Sequence, residues 1–349
     1  MGKTIQNFAR NRNSGCRITV DISIGDIPAV VLENEFIRMT VLAGRGADVV
    51  EFLYKPLDVD LVWLTSNGIP IKKIPEFHPD DVETFLNGYP GGWQSIFPNG
   101  GAPSQVEDIN FGQHAEVALL EWHYVVNLDS EEEVSVDFMV ETKKTPFRIN
   151  KRISLKRHEK KCLIRETIEN LSAQQRKTMW GAHFSFGAPL IDSDSTITLP
   201  SGGRVIPHPE PISSAGRRLA STEEFNWPIG KSGNGSDIDF SKLPPKKTQS
   251  EMLYIKDLTQ SWYQINSPSK KLAAKVSWDG KLLPYLWFWQ EYGAADDYPW
   301  YGRHYNIGLE PFSSYPTNGL AEAIANGSAL SFNSREKKTN LIEFEVVPL

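Results

Sequence analysis

The chain has 349 residues, 40% hydrophobic and 23% charged, and its 37 Lys+Arg against 43 Asp+Glu give a formal charge of -6. This composition excludes disorder, collagen and coiled coil, and mild acidity without a basic block argues against nucleic acid and anionic membrane surfaces as partners. The 10 Trp, 11 Tyr and 17 Phe, set among 26 Gly and 23 Pro, suit a turn-rich β protein and a sugar binder.

Met1 to Arg17 is polar and basic without the apolar stretch of a signal peptide, and no later run approaches the roughly 20 apolar residues of a membrane helix. Cys16 and Cys162 are the only cysteines and lie far apart, so no disulfide framework is indicated and the cytoplasm is the expected compartment.

After an N-terminal extension over 1–27, short β-type runs follow one another between Gly, Pro, Asn and Asp turns. They cover Ala29–Leu32, Phe36–Leu42, Ala47–Tyr54, Val117–Asn127, Val134–Thr142, Phe147–Lys156, Cys162–Asn170 and Lys177–Phe186. They resume at Met252–Ile255, Ser261–Ile265, Leu272–Val276, Tyr285–Glu291, Tyr305–Glu310, Ala329–Phe332 and Asn340–Val346. Helical spacing is confined to Asp80–Leu86, with Asp80 as its cap, and Gly319–Ala325. The segment 187–250 interrupts the rhythm with Pro-Ser-Gly-Gly and Ile-Pro-His-Pro-Glu-Pro. A linker there would split the chain; the continuation of β runs in the same style favours a long loop region on one domain, 1–349. Many short strands predict an all-β fold, a large antiparallel β-sandwich or a barrel.

Two strands carry the residues with chemistry. In Met179-Trp-Gly-Ala-His-Phe-Ser-Phe-Gly187, strand alternation turns Trp180, Ala182, Phe184 and Phe186 one way. His183 then shares the other face with Gly181 and Ser185, beside space left by the glycine. In Tyr305-Asn-Ile-Gly-Leu-Glu-Pro-Phe-Ser-Ser-Tyr-Pro316, Glu310 shares a face with Gly308 and Asn306, and Pro311 is expected to end the strand. A carboxylate beside a gap under an aromatic loop has the setting of a base with a raised pKa. Taken singly, His183 equally fits a structurally bonded histidine, and Glu310 an ordinary edge glutamate. His114 precedes the run Val117–Asn127, downstream of the glycine-rich Tyr89-Pro-Gly-Gly-Trp-Gln-Ser-Ile-Phe-Pro-Asn-Gly-Gly101. The aromatic run Tyr285–Tyr292 and Tyr298–Tyr301 supplies core and, in part, pocket wall. Gly112-x-His114-x-Glu116 with Glu121 is a metal-ligating alternative. No Walker loop, GxGxxG or GxSxG is present.

The order of these motifs resembles the galactose mutarotase-like (aldose 1-epimerase) superfamily. The correspondence runs from about Val30 to the C-terminus: Gly-Arg-Gly-Ala-Asp-Val-Val-Glu-Phe at 44–52, Leu61-Val-Trp63, the Gly-Gly loop at 91–101, His114, His183, Leu309-Glu-Pro-Phe-Ser-Ser-Tyr-Pro316 and Leu341–Val347. The resemblance implies a galactose mutarotase-like super-sandwich with its site in a concave sheet, Glu310 as base on the anomeric hydroxyl, His183 as acid on the ring oxygen and His114 as a polarising helper. It implies an isomerase with a small-molecule sugar substrate that needs no cofactor or metal. Trp93, Gln94, Trp289, Gln290, Arg303 and the Phe312–Tyr315 loop are the expected sugar contacts, with Asp237 or Asp239 as a binding acid. Where the family commonly has an arginine before the Gly-Gly loop, this chain has Pro90. That departure disfavours a sugar phosphate unless Arg45, Arg303 or Lys231 substitutes, and points to an uncommon sugar, such as an acidic or modified hexose. The alternatives are a non-catalytic carbohydrate binder or sensor on the same fold, and a metal-dependent sugar isomerase or lyase.

Overall fold

The computed structural model describes residues 14–70 and 82–349. Strands dominate, and they assemble into two large antiparallel sheets. Six strands at the centre of the larger, 12-stranded sheet matter for function: β1 (Asp48–Tyr54), β2 (Trp93–Ile96), β3 (Gly181–Gly187), β4 (Thr248–Lys256), β5 (Tyr285–Tyr292) and β6 (Asn306–Phe312). Their order across the sheet is β1-β2-β3-β6-β5-β4. The three strands Arg17–Ile24, Ile27–Glu33 and Ile37–Leu42 extend it beyond β1, so part of the expected N-terminal extension is an edge strand. The second sheet has eight strands, with Lys161–Asn170 and Lys337–Pro348 side by side at its middle.

Strand alternation builds a core on both faces of the larger sheet. Toward the second sheet, Trp93, Phe184, Phe186, Leu286, Phe288, Ile307 and Leu309 join Ile164, Ile342 and Phe344 in the main hydrophobic cluster. On the opposite face, Ile96, Met252, Tyr254, Trp287 and Phe312 form a second cluster with Phe85, Tyr89 and Phe111 from the connecting loops. Each fully buried side chain of this size contributes on the order of 1.5–3 kcal/mol. The outer face is therefore dry as well.

Segment 187–250 is woven into both layers. Thr196–Thr198 joins the eight-stranded sheet, whereas Arg204–Pro207 and Phe225–Asn226 extend the larger one beyond β4. Three local expectations fail. Val117–Asn127 is not one strand: Val117–Leu119 is a 3-10 turn and the strand is His123–Asp129. The turn is held because Trp122 Nε1 donates back to the Val117 carbonyl at 3.0 Å. Lys177–Phe186 divides into Arg176–Thr178, paired with Leu330–Phe332, and β3. Pro311 does not end β6, which runs on to Phe312 with a continuous ladder to β5. The helices are Glu83–Leu86 and Leu320–Ala325; the expected Asp80 cap lies outside the described residues. No helix among the described residues is long and apolar enough to cross a membrane.

Candidate active site

The site lies on the outer face of β3, β5 and β6. β3 pairs with β6 at Gly181–Phe312 and again from Ser185–Gly308 to Gly187–Asn306, so the ladder is open in between, at His183 and Glu310. Pro311, which has no N–H to give, belongs to this open stretch. His183 Nε2 and Glu310 Oε1 meet across it at 3.5 Å, both side chains buried. The glycines on this face have specific uses. A Cβ on Gly308 would lie 2.2 Å from Glu310 Oε1, so the glycine gives the carboxylate its place. The space at Gly181 is filled by the Phe312 ring, which a Cβ would meet at 2.3 Å, and is not available beside His183.

His114 comes to the same place from a loop. Its ring stands edge-on to that of His183, with centroids 5.3 Å apart. Gly101 N–H donates to its Nδ1 at 3.2 Å, which leaves the proton on Nε2 as a donor. Around these three groups is a cavity of about 260 Å³ lined by Phe85, Tyr89, Trp287, Trp289, Trp300 and Glu291, among others. Trp289 and Trp300 stack obliquely at 5.4 Å, and Trp63 closes on both from behind.

Burial sets the electrostatics. It raises Glu310 well above the usual carboxylate range and lowers His183 to about 4. Burial, reinforced by neighbouring His183, lowers His114 well below an ordinary histidine. These directions favour a carboxylic acid facing a neutral imidazole, a pair that holds one proton between its members. Burial also raises Glu291, although Ser250 Oγ and Gly293 N–H donate to it at 2.5 and 2.9 Å.

The expected sugar contacts divide. Trp289 is in the cavity wall. Trp93 is on the opposite face of the sheet, packed against Phe52, Phe184 and Phe344. Gln94 shares the face of His183 but lies behind it, donating to Asp48 Oδ2 at 2.8 Å. Gln290 alternates with Trp289 and points into the core, where Arg218 donates to it. Arg303 is exposed, its guanidinium 5.7 Å from the Tyr301 ring. Phe312 is stacked flat on Trp287 at 3.6 Å, and Tyr315 packs on Tyr254 and Tyr285; from this region it is Thr317 that reaches the cavity. Asp237 and Asp239 pair with Lys231 and Lys242 at a small hairpin. Arg45 is bound to Asp48 at 2.8 Å, and among the described residues neither an arginine nor a lysine is in the cavity wall. Glu116 accepts from Lys143 N, Lys144 N and Thr145 Oγ1, away from His114, and the described residues include no group of three His, Cys, Asp or Glu arranged for a metal ion. Glu291 and Trp287 escaped the sequence reading, although both follow from Trp289 by the two-residue period of β5. Trp300 lies in the aromatic segment Tyr298–Tyr301 expected to supply part of the pocket wall, and Tyr89 opens the glycine-rich loop, though no strand period singles out either residue.

Residues 27–346 match the family described as Domain of unknown function (DUF4432). The chain belongs to that family. No curated protein sequence matches it. Among solved structures, this DUF4432 protein is similar to the Slr1438 protein from Synechocystis sp. PCC 6803, with TM-score 0.66 and 15% identity over 95% of this chain and 100% of that one. It is also similar to a galactose mutarotase-like protein from Clostridium acetobutylicum, with TM-score 0.65 and 15% identity over 97% and 100%. A galactose mutarotase related enzyme from Lactobacillus acidophilus matches with TM-score 0.58 and 13% identity over 92% and 100%. At these identities the likeness is one of fold: this DUF4432 chain has the galactose mutarotase-like sandwich.

Proposed function

We propose that the protein is an isomerase that interconverts the anomers of a free, uncharged sugar by proton transfer through Glu310 and His183. The observation that carries this reading is the 3.5 Å approach of the two side chains over an open ladder, in the floor of an aromatic cavity. A cyclic hemiacetal opens when the O1 proton leaves to a base and the ring oxygen receives a proton. The C1–ring oxygen bond then breaks to leave an open-chain aldehyde. Half a turn about C1–C2 presents the other carbonyl face, and closure returns both protons. The reaction therefore consumes no proton and needs one acid and one base, which a one-proton pair supplies; such transfers are worth about 10²–10⁴-fold.

The shared proton passes from Glu310 to His183 Nε2 when the sugar binds, so the carboxylate takes the O1 proton and the imidazolium protonates the ring oxygen, with His114 donating from Nε2 to a sugar oxygen. Trp289 and Trp300 offer apolar faces to the sugar C–H groups. The absence of arginine and lysine from the described cavity wall, together with Glu291 as a second carboxylate, supports an uncharged sugar over an acidic or phosphorylated one. Exchange spectroscopy of anomer signals across neutral aldoses and uronic acids tests this. Wild-type acceleration that is lost in Glu310→Gln and His183→Ala, with folding retained, is expected. No acceleration of any sugar by wild type sinks the reading, and binding without turnover would make the protein a carbohydrate sensor.

A further inference from the structure

Several buried polar atoms behind His183 have no hydrogen-bond partner, and the mechanism above does not use them: His183 Nδ1, Gln94 Oε1 and Arg45 Nη2. An unsatisfied buried group of this kind is costly and calls for an explanation. Here the backbone supplies one. Gln94 on β2 is the direct ladder partner of His183 on β3, so the two side chains rise next to each other from the same face of the sheet.

The orientation of the Gln94 amide is fixed from the far side. Its Nε2 donates to Asp48 Oδ2 at 2.8 Å, and the same oxygen takes Arg45 Nη1 at 2.8 Å. Asp48 is fully buried and acts as acceptor for both, so the amide cannot turn its oxygen toward Asp48 without setting two acceptors against each other. Oε1 is thus left on the free side of the amide, with an imidazole as its cross-strand neighbour.

We propose that Gln94, oriented by the Arg45–Asp48 pair, is a positioning residue for His183: its Oε1 takes the Nδ1–H through one water, and so keeps the Nε2 lone pair aimed at Glu310. The other ring nitrogen of a reactive histidine is where its tautomer is set. With the proton on Nδ1, Nε2 is the atom that exchanges a proton with Glu310 Oε1, 3.5 Å away. The chain of contacts runs Arg45, Asp48, Gln94, His183, Glu310, from a buried ion pair to the reacting pair.

His183 is also approached by Glu310 from β6, by His114 and Tyr89 from the loops, and by its own backbone. The test therefore varies Gln94 alone. The acid–base role of His183 rests on the proposed function, but its tautomer is read without any sugar. Nitrogen-15 NMR of histidine-labelled protein should show wild-type His183 protonated on Nδ1. Gln94→Met keeps the length and removes the acceptor; the Nδ1–H tautomer should give way to a mixture. Gln94→Glu restores an acceptor, should restore the Nδ1–H tautomer, and should move the acidic limb of the anomerisation profile to higher pH by a unit or more. In Gln94→Met the turnover number should fall about tenfold or more with KM little changed.

An Nε2–H tautomer in wild type, or a His183 spectrum identical in all three proteins, overturns the positioning role. If the spectra change as expected but wild type accelerates no anomer exchange, the positioning role stands and the proposed function fails. Should Gln94→Met not fold, Asp48→Asn, which replaces one acceptor oxygen by a donor, must disturb the same His183 signals; unchanged signals there overturn the role equally.

Discussion

The two faces of strand β3 are about equally dry, yet they do different work. Toward the second sheet, Phe184 and Phe186 pack on Trp93 and Phe344, and the carboxylate of Glu166 accepts from Ser95 and Trp180 at 2.5 Å each. Toward the loops, His183 has one ring nitrogen without a partner, and the group that faces it is another buried acid. A buried carboxylate with both oxygens paired, as in Glu166, is held as a rigid structural element. The same burial with a carboxyl and an imidazole left to each other yields perturbed groups ready to exchange a proton. The sheet separates the two by alternation alone, one residue apart.

Substitutions on either side of that divide should fail in different ways. The largest effect is expected for Glu310→Gln: anomer exchange falls by about 10²–10⁴-fold. Folding stability at neutral pH should hold or rise. The folded-state pKa of Glu310 is raised, so its ionisation costs stability as pH climbs from the unfolded carboxylate value through the folded one, and glutamine has no such cost. Phe184→Ala, next to His183 but on the inner face, should do the reverse. It should lose about 3–5 kcal/mol by urea denaturation while each folded molecule turns over as before. If Phe184→Ala lowers the intrinsic rate as much as Glu310→Gln does, the two faces are not functionally separate.

Next in size is a pH effect. Folded His183 has its pKa lowered from 6.5 to about 4, so the unfolded chain takes up the proton first. The stability tied to this group is complete above 6.5 and is lost as pH falls toward 4, on the order of 3 kcal/mol in all. His183→Asn should flatten the difference between urea midpoints measured at pH 7 and pH 4.5; an unchanged difference would mean that the imidazole is not held neutral. Gly308→Ala is expected to act more mildly. Its new methyl collides first with the Glu310 carboxylate end, the far end of a flexible side chain. The carboxylate swings away, the 3.5 Å approach is lost, and the rate drops about tenfold with stability changed by less than about 1 kcal/mol. A fully active Gly308→Ala would show that Glu310 need not stand where the structure places it.

How much of this was legible in the sequence follows the same divide. Alternation in Met179–Gly187 and Tyr305–Glu310 put His183 and Glu310 on the outward faces, and the structure places them there. Alternation applied to β5 also predicts that Trp289 and Gln290 cannot both face a ligand, and one of the two had to be wrong. What alternation could not supply was the partner on the next strand. The closeness of Gln94 to His183 depends on the register of β2 against β3, across 88 intervening positions that include the strands Glu133–Glu141, Phe147–Lys156 and Lys161–Asn170 of the other sheet. The cavity roof was legible only as the aromatic segment holding Trp300; Tyr89 and Thr317 stand in connections whose path is set by packing and not by any period. The short turn at Val117–Leu119 was misread because hydrophobic residues in a row look like strand until a side chain such as Trp122 folds back on them.

Arg303 gives the smallest expected effect and the cleanest boundary for the comparison. It sits three residues before β6 begins at Asn306 and one before buried His304, so proximity in sequence makes it look like part of the site. Its guanidinium, however, rests on exposed Tyr301 and does not enter the cavity wall. Arg303→Ala should therefore leave sugar affinity and exchange rate within twofold, and stability within about 0.5 kcal/mol. The buried neighbour responds more, in principle, because Arg303 adds to the burial that lowers His304. His304 packs edge-on against Trp63 and Trp300, and Trp300 lines the cavity. A large loss of binding in Arg303→Ala, with an acidic sugar preferred over a neutral one in the wild type, would place a cation at the ligand after all. That result would overturn the uncharged-sugar reading while leaving the Glu310–His183 pair untouched.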